Sequence, residues 1–308
     1  MQRSSMEIIN AHVHLIEIEA MAQKYQDFSL SGGISVLQDI VATLPLLSPE
    51  MLIQQMDEAG IAKSVLYAVD APIVYSSNEY VKSLCDRFPD RFIGFASVNP
   101  NDPTAVDTLE KAVKGFGLKG LKLHPPLQNF FPNDKAFYPL YEKALELNIP
   151  IVFHVGTTPF GSLCRLSQAN PLLIDDIAVD FPDLRIQLTH LGTLWHNESF
   201  MVVEKNPNVF IDTAAYLYEI KEILTPNLID RIGPDKIIFG TDYPMPYAGT
   251  IHNIKDFVDC IGEIGLSQTT LRGIFKDNFE TLLNGRQTKG KDISLAELMA
   301  EVANHSNQ

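Results

Sequence analysis

Residues 150–192 read PIVFHVGTTPFGSLCRLSQANPLLIDDIAVDFPDLRIQLTHLG. Two short apolar runs, at 150–156 and 185–192, stand on either side of a helical pattern at 171–180. Each run is rich in Ile, Val, Leu and Phe and is bounded by turn residues, which is typical of a parallel strand buried on both faces. Because parallel strands need a crossover connection that is usually helical, this stretch predicts a strand–helix–strand unit.

The same alternation extends over most of the chain. Eight strands are predicted, at residues 7–14, 63–69, 92–99, 118–124, 150–156, 185–192, 209–215 and 236–244. Helices are predicted between and after them, at residues 48–60, 78–87, 102–115, 134–147, 171–180, 198–205, 216–232 and 254–264. Eight strands with a helix after each is the count of a (β/α)₈ or TIM barrel, so we predict this α/β fold. An open doubly wound sheet shows the same alternation and is the alternative.

The domain organisation follows from the length of 308 residues. A TIM barrel typically takes about 250 residues, which leaves extensions rather than a second domain. We therefore predict a single domain over residues 1–308, with the barrel at about 7–285. Residues 16–47 form an insertion after the first strand, long enough to cover the barrel mouth. The polar segment 287–308 is predicted to be a peripheral helix with a frayed end.

The composition is that of an acidic globular protein. Apolar residues make up 45% of the chain and charged residues 20%, which argues against disorder and coiled coil. The formal net charge of −14 gives no general attraction for nucleic acid or anionic membranes, so we expect a small-molecule partner. Three widely spaced cysteines make a poor disulfide framework, and neither a signal-peptide pattern nor a membrane-spanning apolar run is found. We therefore predict a cytoplasmic protein.

Polar residues stand at the carboxyl ends of the predicted strands. Five of the eight histidines and one aspartate do so: His12, His14, His124, His154, His190 and Asp242. In a barrel these strand ends converge on the top face, where catalytic groups lie. The sequence therefore predicts a functional site at this face.

The His12-x-His14 pair indicates a metal site. Residues i and i+2 of a strand point to the same face, so both imidazoles can reach one ion. His154 would supply a third nitrogen and Asp242 an oxygen, a donor set that suits zinc or another divalent transition metal. The alternatives are a core role for His154 and a helix-capping turn for Asp242.

Six segments carry a more specific resemblance: NAHVH, LKGLKLHPP, IPIVFHVG, PLLIDDIAVDFPDLRIQLTHLG, NVFIDTAAY and FGTDYPM, in this order. The sequence resembles the amidohydrolase superfamily and, within it, the amidohydrolase-2 branch of aminocarboxymuconate semialdehyde decarboxylase, resorcylate-type decarboxylases and related hydrolases and hydratases. The resemblance implies a distorted (β/α)₈ barrel with one divalent metal, for which we expect zinc, held by His12, His14, His154 and Asp242. It also implies that His190 is the catalytic histidine and that Asp242 shuttles a proton.

The fourth strand leaves the number of metal ions open. Some amidohydrolase branches bridge two metals with a carbamylated lysine there, and Lys122 lies in this strand. In that arrangement His154 and His190 would serve a second metal. If Lys122 stays an ammonium, it contacts a substrate carboxylate or pairs with a barrel carboxylate. His124 either contacts substrate at the mouth or caps its strand.

Loop residues are the candidates for substrate selection. Arg165 follows the fifth strand, and its guanidinium suits a carboxylate-bearing substrate, although a solvated surface position is the alternative. Trp195 follows the sixth strand and either lines the pocket or packs under its loop. Relatives commonly form homodimers, and the loop-rich barrel face offers a surface for one.

Three functions are compatible with these residues. We expect a metal-dependent hydrolase of a small amide, ester or lactone, in which metal-activated water attacks and His190 with Asp242 transfers protons. The alternative is a metal-dependent decarboxylase of an aromatic or unsaturated carboxylic acid, which uses the same ligands. A non-catalytic metal-binding barrel is the third reading.

Overall fold

Ten strands lie in the part of the chain that the computed structural model describes, which is residues 6–26, 41–158, 160–246, 250–285 and 299. They are β1 (Ile8–Val13), β2 (Ile61–Tyr67), β3 (Val69–Asp70), β4 (Tyr75–Ser76), β5 (Phe92–Phe95), β6 (Leu121–Leu123), β7 (Ile151–Phe153), β8 (Ile186–Leu188), β9 (Val209–Asp212) and β10 (Ile237–Ile238). The eight strands other than β3 and β4 overlap the eight predicted strands, and most are shorter than predicted, but β2 begins two residues earlier than predicted and β3 takes up the end of the same predicted range.

The eight predicted strands form a ring of parallel strands. One sheet has the order β1-β2-β5, and the other has the order β10-β9-β8-β7-β6. Single parallel bridges, Ala96 with Leu121 and Val13 with Tyr243, join the two sheets at both edges. At the second junction the backbone N–H of His14 donates to the carbonyl of Tyr243 at 2.7 Å. The predicted TIM barrel is therefore confirmed, and the open doubly wound sheet is excluded.

Most predicted helices are also present. The α-helices are Ile18–Lys24, Pro49–Ala59, Asn78–Arg87, Ala105–Glu110, Pro125–Gln128, Tyr138–Glu146, Leu172–Asp180, His196–Lys205, Leu217–Ile223, Pro226–Ile232, Ile254–Gly262, Gln268–Arg272 and Asn278–Asn284, with π-helical turns at Lys111–Gly115 and Gly273–Asp277. The single helix predicted at 216–232 is wrong. It divides before Pro226, which lacks an N–H, and Thr225 caps the second half by accepting from the N–H of Leu228.

Alternation along each strand separates two buried layers. Leu121 and Leu123 of β6 pack outward under the helices, whereas Lys122 between them points into the barrel. The interior layer contains Tyr67, Phe95, Val152, Phe210 and Ile238, with Phe279 of the last described helix packed against it. None of the described helices is long and apolar enough to cross a bilayer.

Two connections at the top of the barrel matter for the site. β3 and β4 form an antiparallel hairpin after β2 that the sequence patterns did not predict, because each strand is only two residues long. The insertion predicted at 16–47 contains the helix Ile18–Lys24 and the 3₁₀ turn Leu44–Leu46. Its residues 27–40, and the predicted helix at 287–308 apart from residue 299, lie outside the described residues. The single-domain organisation stays a prediction.

Two glycines provide a matched test of the backbone. Gly60 ends the helix Pro49–Ala59 at φ 71°, whereas Gly262 ends the helix Ile254–Gly262 without a positive φ, and an added Cβ meets no atom within 4 Å at either position. We expect Gly60→Ala to lower the free energy of unfolding by about 1 kcal/mol, because L residues are disfavoured in the left-handed region. Gly262→Ala should raise it by about 0.5 kcal/mol. Urea denaturation measures both, and equal effects would contradict the assigned backbone.

Candidate metal centre and active site

One cavity opens at the carboxyl ends of the barrel strands. Six of the predicted site residues line it: His14, Lys122, His124, His154, His190 and Asp242. Apolar side chains from the loops form much of the remaining wall, namely Ile16, Ile73, Val74, Phe160, Met245 and Pro246. His12 lies buried beside His14. The cavity therefore has a floor of ionisable groups under largely apolar walls.

Three predicted ligand atoms converge at this floor. His12 Nε2 lies 3.1 Å from His14 Nε2 and 3.1 Å from Asp242 Oδ1. His14 Nε2 lies 3.3 Å from the same Asp242 oxygen. Ligands about 2.0–2.2 Å from a tetrahedral ion are about 3.3 Å apart, so this triangle has the size of one face of a metal site. The structure thus places the β1 pair and the residue after β10 where a single ion can be held.

The His12 tautomer is set by a carboxylate that the sequence analysis missed. His12 Nδ1 donates to Asp212 Oδ2 at 2.8 Å, which leaves the Nε2 lone pair directed at His14 and Asp242. Asp212 is fully buried and also accepts from Gln187 Nε2 at 2.7 Å and from the backbone N–H of His190 at 2.8 Å. The signal was present in the sequence as an acidic residue in the apolar run at 209–215.

Burial and nearby charges shift the pKa values of His12 and His14 in opposite directions. Burial disfavours the imidazolium of His12, but the Asp212 carboxylate overcomes this effect and raises the pKa of His12. For His14, burial dominates and lowers the pKa to about 4. Burial opposes ionisation of Asp242, yet His12 holds its pKa well below the usual range. Asp242 is therefore a carboxylate at neutral pH.

His190 and His154 form a hydrogen-bonded pair on the other side of the floor. His190 Nδ1 donates to the backbone carbonyl of Ala214 at 2.5 Å, since a carbonyl only accepts. Burial lowers the pKa of His190 to about 4, so its ring is neutral and Nε2 must accept. His154 Nδ1, at 3.0 Å from that nitrogen, is then the donor. The Nε2 of His154 keeps a lone pair, and this buried atom has no hydrogen-bond partner among the described residues.

The positions of the protons on His190 and His154 show that the residues present fit a divalent metal ion. His154 lies outside the triangle of His12, His14 and Asp242. Its free lone pair nevertheless belongs to a side chain that lines the same cavity as His14 and Asp242. Once His12 gives up its second proton, two imidazoles with their Nε2 lone pairs directed toward the site stand next to an ionised carboxylate, and these are donors that divalent transition metals prefer.

Two site residues have strained backbones. His190 has φ 63° and Asp242 has φ 55°, which is the left-handed region that residues with a side chain seldom adopt. Asp212 holds the His190 turn through the backbone N–H, and the N–H of Asp242 donates to the carbonyl of His12 at 3.0 Å. Such strain persists where the surrounding structure fixes the backbone, and it clusters at functional sites.

Lys122 is a buried cation on the cavity wall. Its side chain is 1% exposed, and Nζ has no hydrogen-bond partner in the described part of the chain. Nζ lies 5.2 Å from the centre of the Tyr67 ring. Burial lowers the pKa of Lys122 to about 8, and Asp212 and Asp242 oppose that shift. An unpaired cation facing a cavity is a natural partner for an anionic ligand.

His124 lies on the cavity wall and also caps a short helix, whereas its contact with substrate stays a prediction. Its Nδ1 accepts from the backbone N–H of Leu127 at 3.3 Å, which caps the short helix Pro125–Gln128. The ring also lines the cavity and stacks on His154 with a centroid distance of 3.9 Å. It therefore fixes the orientation of the His154 ring.

The structure does not bring Arg165 or Trp195 into the cavity. Arg165 is exposed at the start of the 3₁₀ turn Leu166–Ala169. Trp195 is half-buried and precedes the helix His196–Lys205, and its backbone N–H donates to Gly192. The lining residues after the corresponding strands are instead Thr157, Thr158, Phe160 and Thr193. The position of a loop residue after a strand end did not predict whether its side chain lines the cavity.

The chain is similar in sequence to a family of known enzymes. A sequence profile described as amidohydrolase matches residues 9–284. The chain is 27% identical over 253 residues to a 2-keto-4-carboxy-3-hexenedioate hydratase of Sphingobium sp. (strain NBRC 103272 / SYK-6), covering 68% of this chain and 71% of the hydratase. It is 23% identical over 283 residues to a gamma-resorcylate decarboxylase of Rhizobium sp. (strain MTP-10005), covering 72% and 85%.

A solved structure shows the same fold. The 5-carboxyvanillate decarboxylase of Novosphingobium aromaticivorans, complexed with manganese and 4-hydroxy-3-methoxy-5-nitrobenzoic acid, superposes with a TM-score of 0.71 at 18% identity. The match covers 91% of this chain and 97% of that chain. The expected hydrolysis of an amide, ester or lactone is wrong, because these relatives are decarboxylases and a hydratase. The hydrolase expectation rested on the breadth of the superfamily, which carries little information about the reaction.

The role of Asp212 can be tested by removing its charge. We expect Asp212→Asn to weaken metal binding by about 10–100-fold, because an amide no longer fixes the His12 tautomer. Titration of metal-free protein with Zn²⁺ or Mn²⁺ measures the affinity. Asp175→Asn is the control, since Asp175 accepts from Asn206 at 2.7 Å away from the cavity. Unchanged affinity in Asp212→Asn would show that the carboxylate does not position the ligand.

A second test moves His12 without changing any polar group. A Cβ at Gly240 would lie 2.9 Å from His12 Cβ, whereas at Gly115 the nearest atom is 3.8 Å away on a flexible lysine. We expect Gly240→Ala to reduce the metal bound per chain to less than about half, because His12 must shift by tenths of an ångström. Gly115→Ala should keep the wild-type content. Metal analysis of both purified variants decides the matter.

Proposed function

Because the chain belongs to the amidohydrolase family, we propose that it is a metal-dependent decarboxylase of a small aromatic or unsaturated carboxylic acid. The observation that carries this proposal is the Lys122 ammonium, which has no hydrogen-bond partner among the described residues and lies in a cavity that also holds the histidine–aspartate cluster. A carboxylate substrate supplies the partner that this buried cation lacks. The apolar side chains of Ile16, Phe160 and Met245 suit an unsaturated or aromatic ring.

The charge of the site supports a singly charged substrate. Asp212 and Asp242 contribute −2 and Lys122 contributes +1, and the imidazoles are neutral when they ligate a metal. A divalent ion then brings the sum to +1, which one carboxylate neutralises. The name of the hydratase relative denotes a substrate with three carboxyl groups. Because Lys122 is the only Lys or Arg among the described residues that line the cavity, a hydratase acting on such a substrate is the less supported candidate.

We propose one metal ion, held by His12, His14, His154 and Asp242. When bound, it supplies the positive charge that orients the substrate carboxylate and a neighbouring oxygen. The three-nitrogen, one-oxygen donor set favours zinc, and manganese, named for the 5-carboxyvanillate decarboxylase, is the alternative. One ion is favoured over two because His190 is held by Ala214 and His154, which leaves no lone pair for a second ion.

Decarboxylation requires a proton at the carbon that loses carbon dioxide. The bond to the carboxyl carbon breaks, its electron pair stays on the ring or alkene carbon, and one proton is added there. We assign this transfer to Asp242 and His190, which both line the cavity, and the proton that is added comes ultimately from water. His190 Nε2 lies 3.0 Å from His154 Nδ1 and shares its proton, and the turn of His190 is fixed by Asp212, so the histidine pair is preorganised to pass a proton.

The decisive experiment is a measurement of carbon dioxide release. We expect the metal-loaded protein to release carbon dioxide from a hydroxybenzoate within a panel of aromatic acids, tricarboxylates and lactones. His190→Asn should lower kcat at least about 100-fold while the bound metal stays constant. Hydration of a tricarboxylate without release of carbon dioxide would support a hydratase. If the protein converts none of these compounds, the non-catalytic barrel is supported.

Lys122 gives a separate prediction. Lys122→Met keeps an unbranched side chain one atom shorter and removes its charge, so we expect KM for the carboxylate substrate to rise about 10–100-fold. Bound metal should not fall, because removal of a nearby cation does not disfavour another cation. The control Lys119→Met changes a lysine near the same strand, outside the cavity lining. An unchanged KM in Lys122→Met would remove the main support for carboxylate recognition.

A further inference from the structure

The hairpin loop between β3 and β4 contains the least favourable backbone conformation on the cavity wall. Ile73 has φ 73°, a conformation that is an outlier for a β-branched residue. Pro72 precedes it, and a proline followed by a residue of positive φ is the pattern of a type II turn. That turn normally places Gly or Asn where this chain has isoleucine. A side chain at this position therefore needs a reason other than turn formation.

The hairpin is fixed from two sides, which is what such strain requires. Tyr25 donates its hydroxyl to Asp70 Oδ1 at 3.0 Å, and Lys24 forms an ion pair with the same carboxylate. Gln128, in the helix after β6, donates to the carbonyl of Asp70 at 3.1 Å. Glu17 donates its backbone N–H to the carbonyl of Tyr75 at 2.8 Å. Contacts with the segments after β1 and β6 thus hold both strands next to the loop.

The side chain of Ile73 is directed to the substrate cavity. It is 6% exposed and lines the cavity together with Ile16 and Phe160, above the histidine floor. Its neighbour Val74 lines the same cavity and is equally buried but lacks a positive φ. The loop therefore presents two aliphatic side chains, and only the first requires strain.

We infer that Ile73 is a specificity-determining residue, held in a strained turn so that its side chain limits the size of the ring that the cavity accepts. This inference rests on the proposed function, because the ring is that of the proposed carboxylic acid. Ile73 contacts neither the histidines nor Asp242 through any hydrogen bond, and its effect is steric. A pocket wall of this kind discriminates single methyl or methylene groups by about 10–200-fold.

Three variants separate side-chain size from backbone strain. Ile73→Gly removes both the side chain and the strain. Ile73→Asn relieves the strain, because Asn tolerates the left-handed region, and keeps the same number of side-chain heavy atoms. Val74→Gly makes an equally flexible loop at a position without strain. The probes are 2,6-dihydroxybenzoate and its 4-methyl and 4-ethyl derivatives, whose binding to the metal-loaded protein is measured by calorimetry.

We expect the wild type to bind the 4-ethyl acid more weakly than the parent acid. Ile73→Gly should reduce this ratio of dissociation constants at least about tenfold, while Ile73→Asn keeps it within about threefold. The melting temperatures of both Ile73 variants should equal or exceed that of the wild type, and Val74→Gly should melt lower. Equal affinity of the wild type for all three acids would overturn the inference. So would an unchanged ratio in Ile73→Gly, or a melting temperature of that variant as low as that of Val74→Gly.

The binding measurements also keep the inference apart from the proposed reaction. If the wild type releases no carbon dioxide from any acid but still discriminates ring size through Ile73, the proposed decarboxylation fails and the steric role stands. If carbon dioxide is released and the size ratio does not depend on Ile73, the reaction stands and the steric role fails. Binding of none of the three acids would overturn the steric role and remove the support for a benzoate substrate.

Discussion

The buried carboxylate of Asp212 is the interaction on which the rest of the site depends. It lies at the end of β9 with no exposure to solvent and accepts from His12, Gln187 and the backbone of His190. Burying a charge is costly unless hydrogen bonds compensate it, so the carboxylate holds each of these donors in place. The same residue thereby fixes one proposed ligand from β1 and the turn after β8. A change at this carboxylate reaches both halves of the floor.

Hydrogen positions then determine what the histidines can do. The Ala214 carbonyl forces His190 to donate from Nδ1, which makes His154 a donor to His190 and leaves the far nitrogen of His154 free. Asp212 has the same effect on His12 from the opposite side. The Nε2 atoms of His12 and His154 are thereby left facing the floor. The arrangement is prepared for a cation before any cation binds, which reduces the reorganisation that binding requires.

Much of the cavity could be predicted, and the missing parts have a common cause. Five strand-end histidines and Asp242 were found because polar residues interrupt apolar runs at a fixed place in each strand–helix unit. Asp212 interrupts its run in the same way but carries no histidine beside it, and so it was overlooked. Arg165 and Trp195 follow strand ends and have suitable chemistry but lie outside the cavity, whereas Ile73 and Phe160 line the cavity from loops without regular periodicity. Period-based reasoning applies to strands and helices, and loops have no period to analyse.

The residue pattern of the chain specifies the barrel and the face of each strand on which the site residues lie. A strand has a period of two, so His12 and His14 share a face, and Lys122 must point opposite to its neighbours Leu121 and Leu123. Which groups meet depends on ring closure and loop conformation. These bring His12, His14 and Asp242 together, leave Lys122 without a hydrogen-bond partner among the described residues and hold Ile73 in its strained turn. Those contacts join residues up to more than two hundred positions apart, and no local pattern encodes such a distance. The sequence therefore specified the directions of the side chains, and closure of the barrel specified their partners.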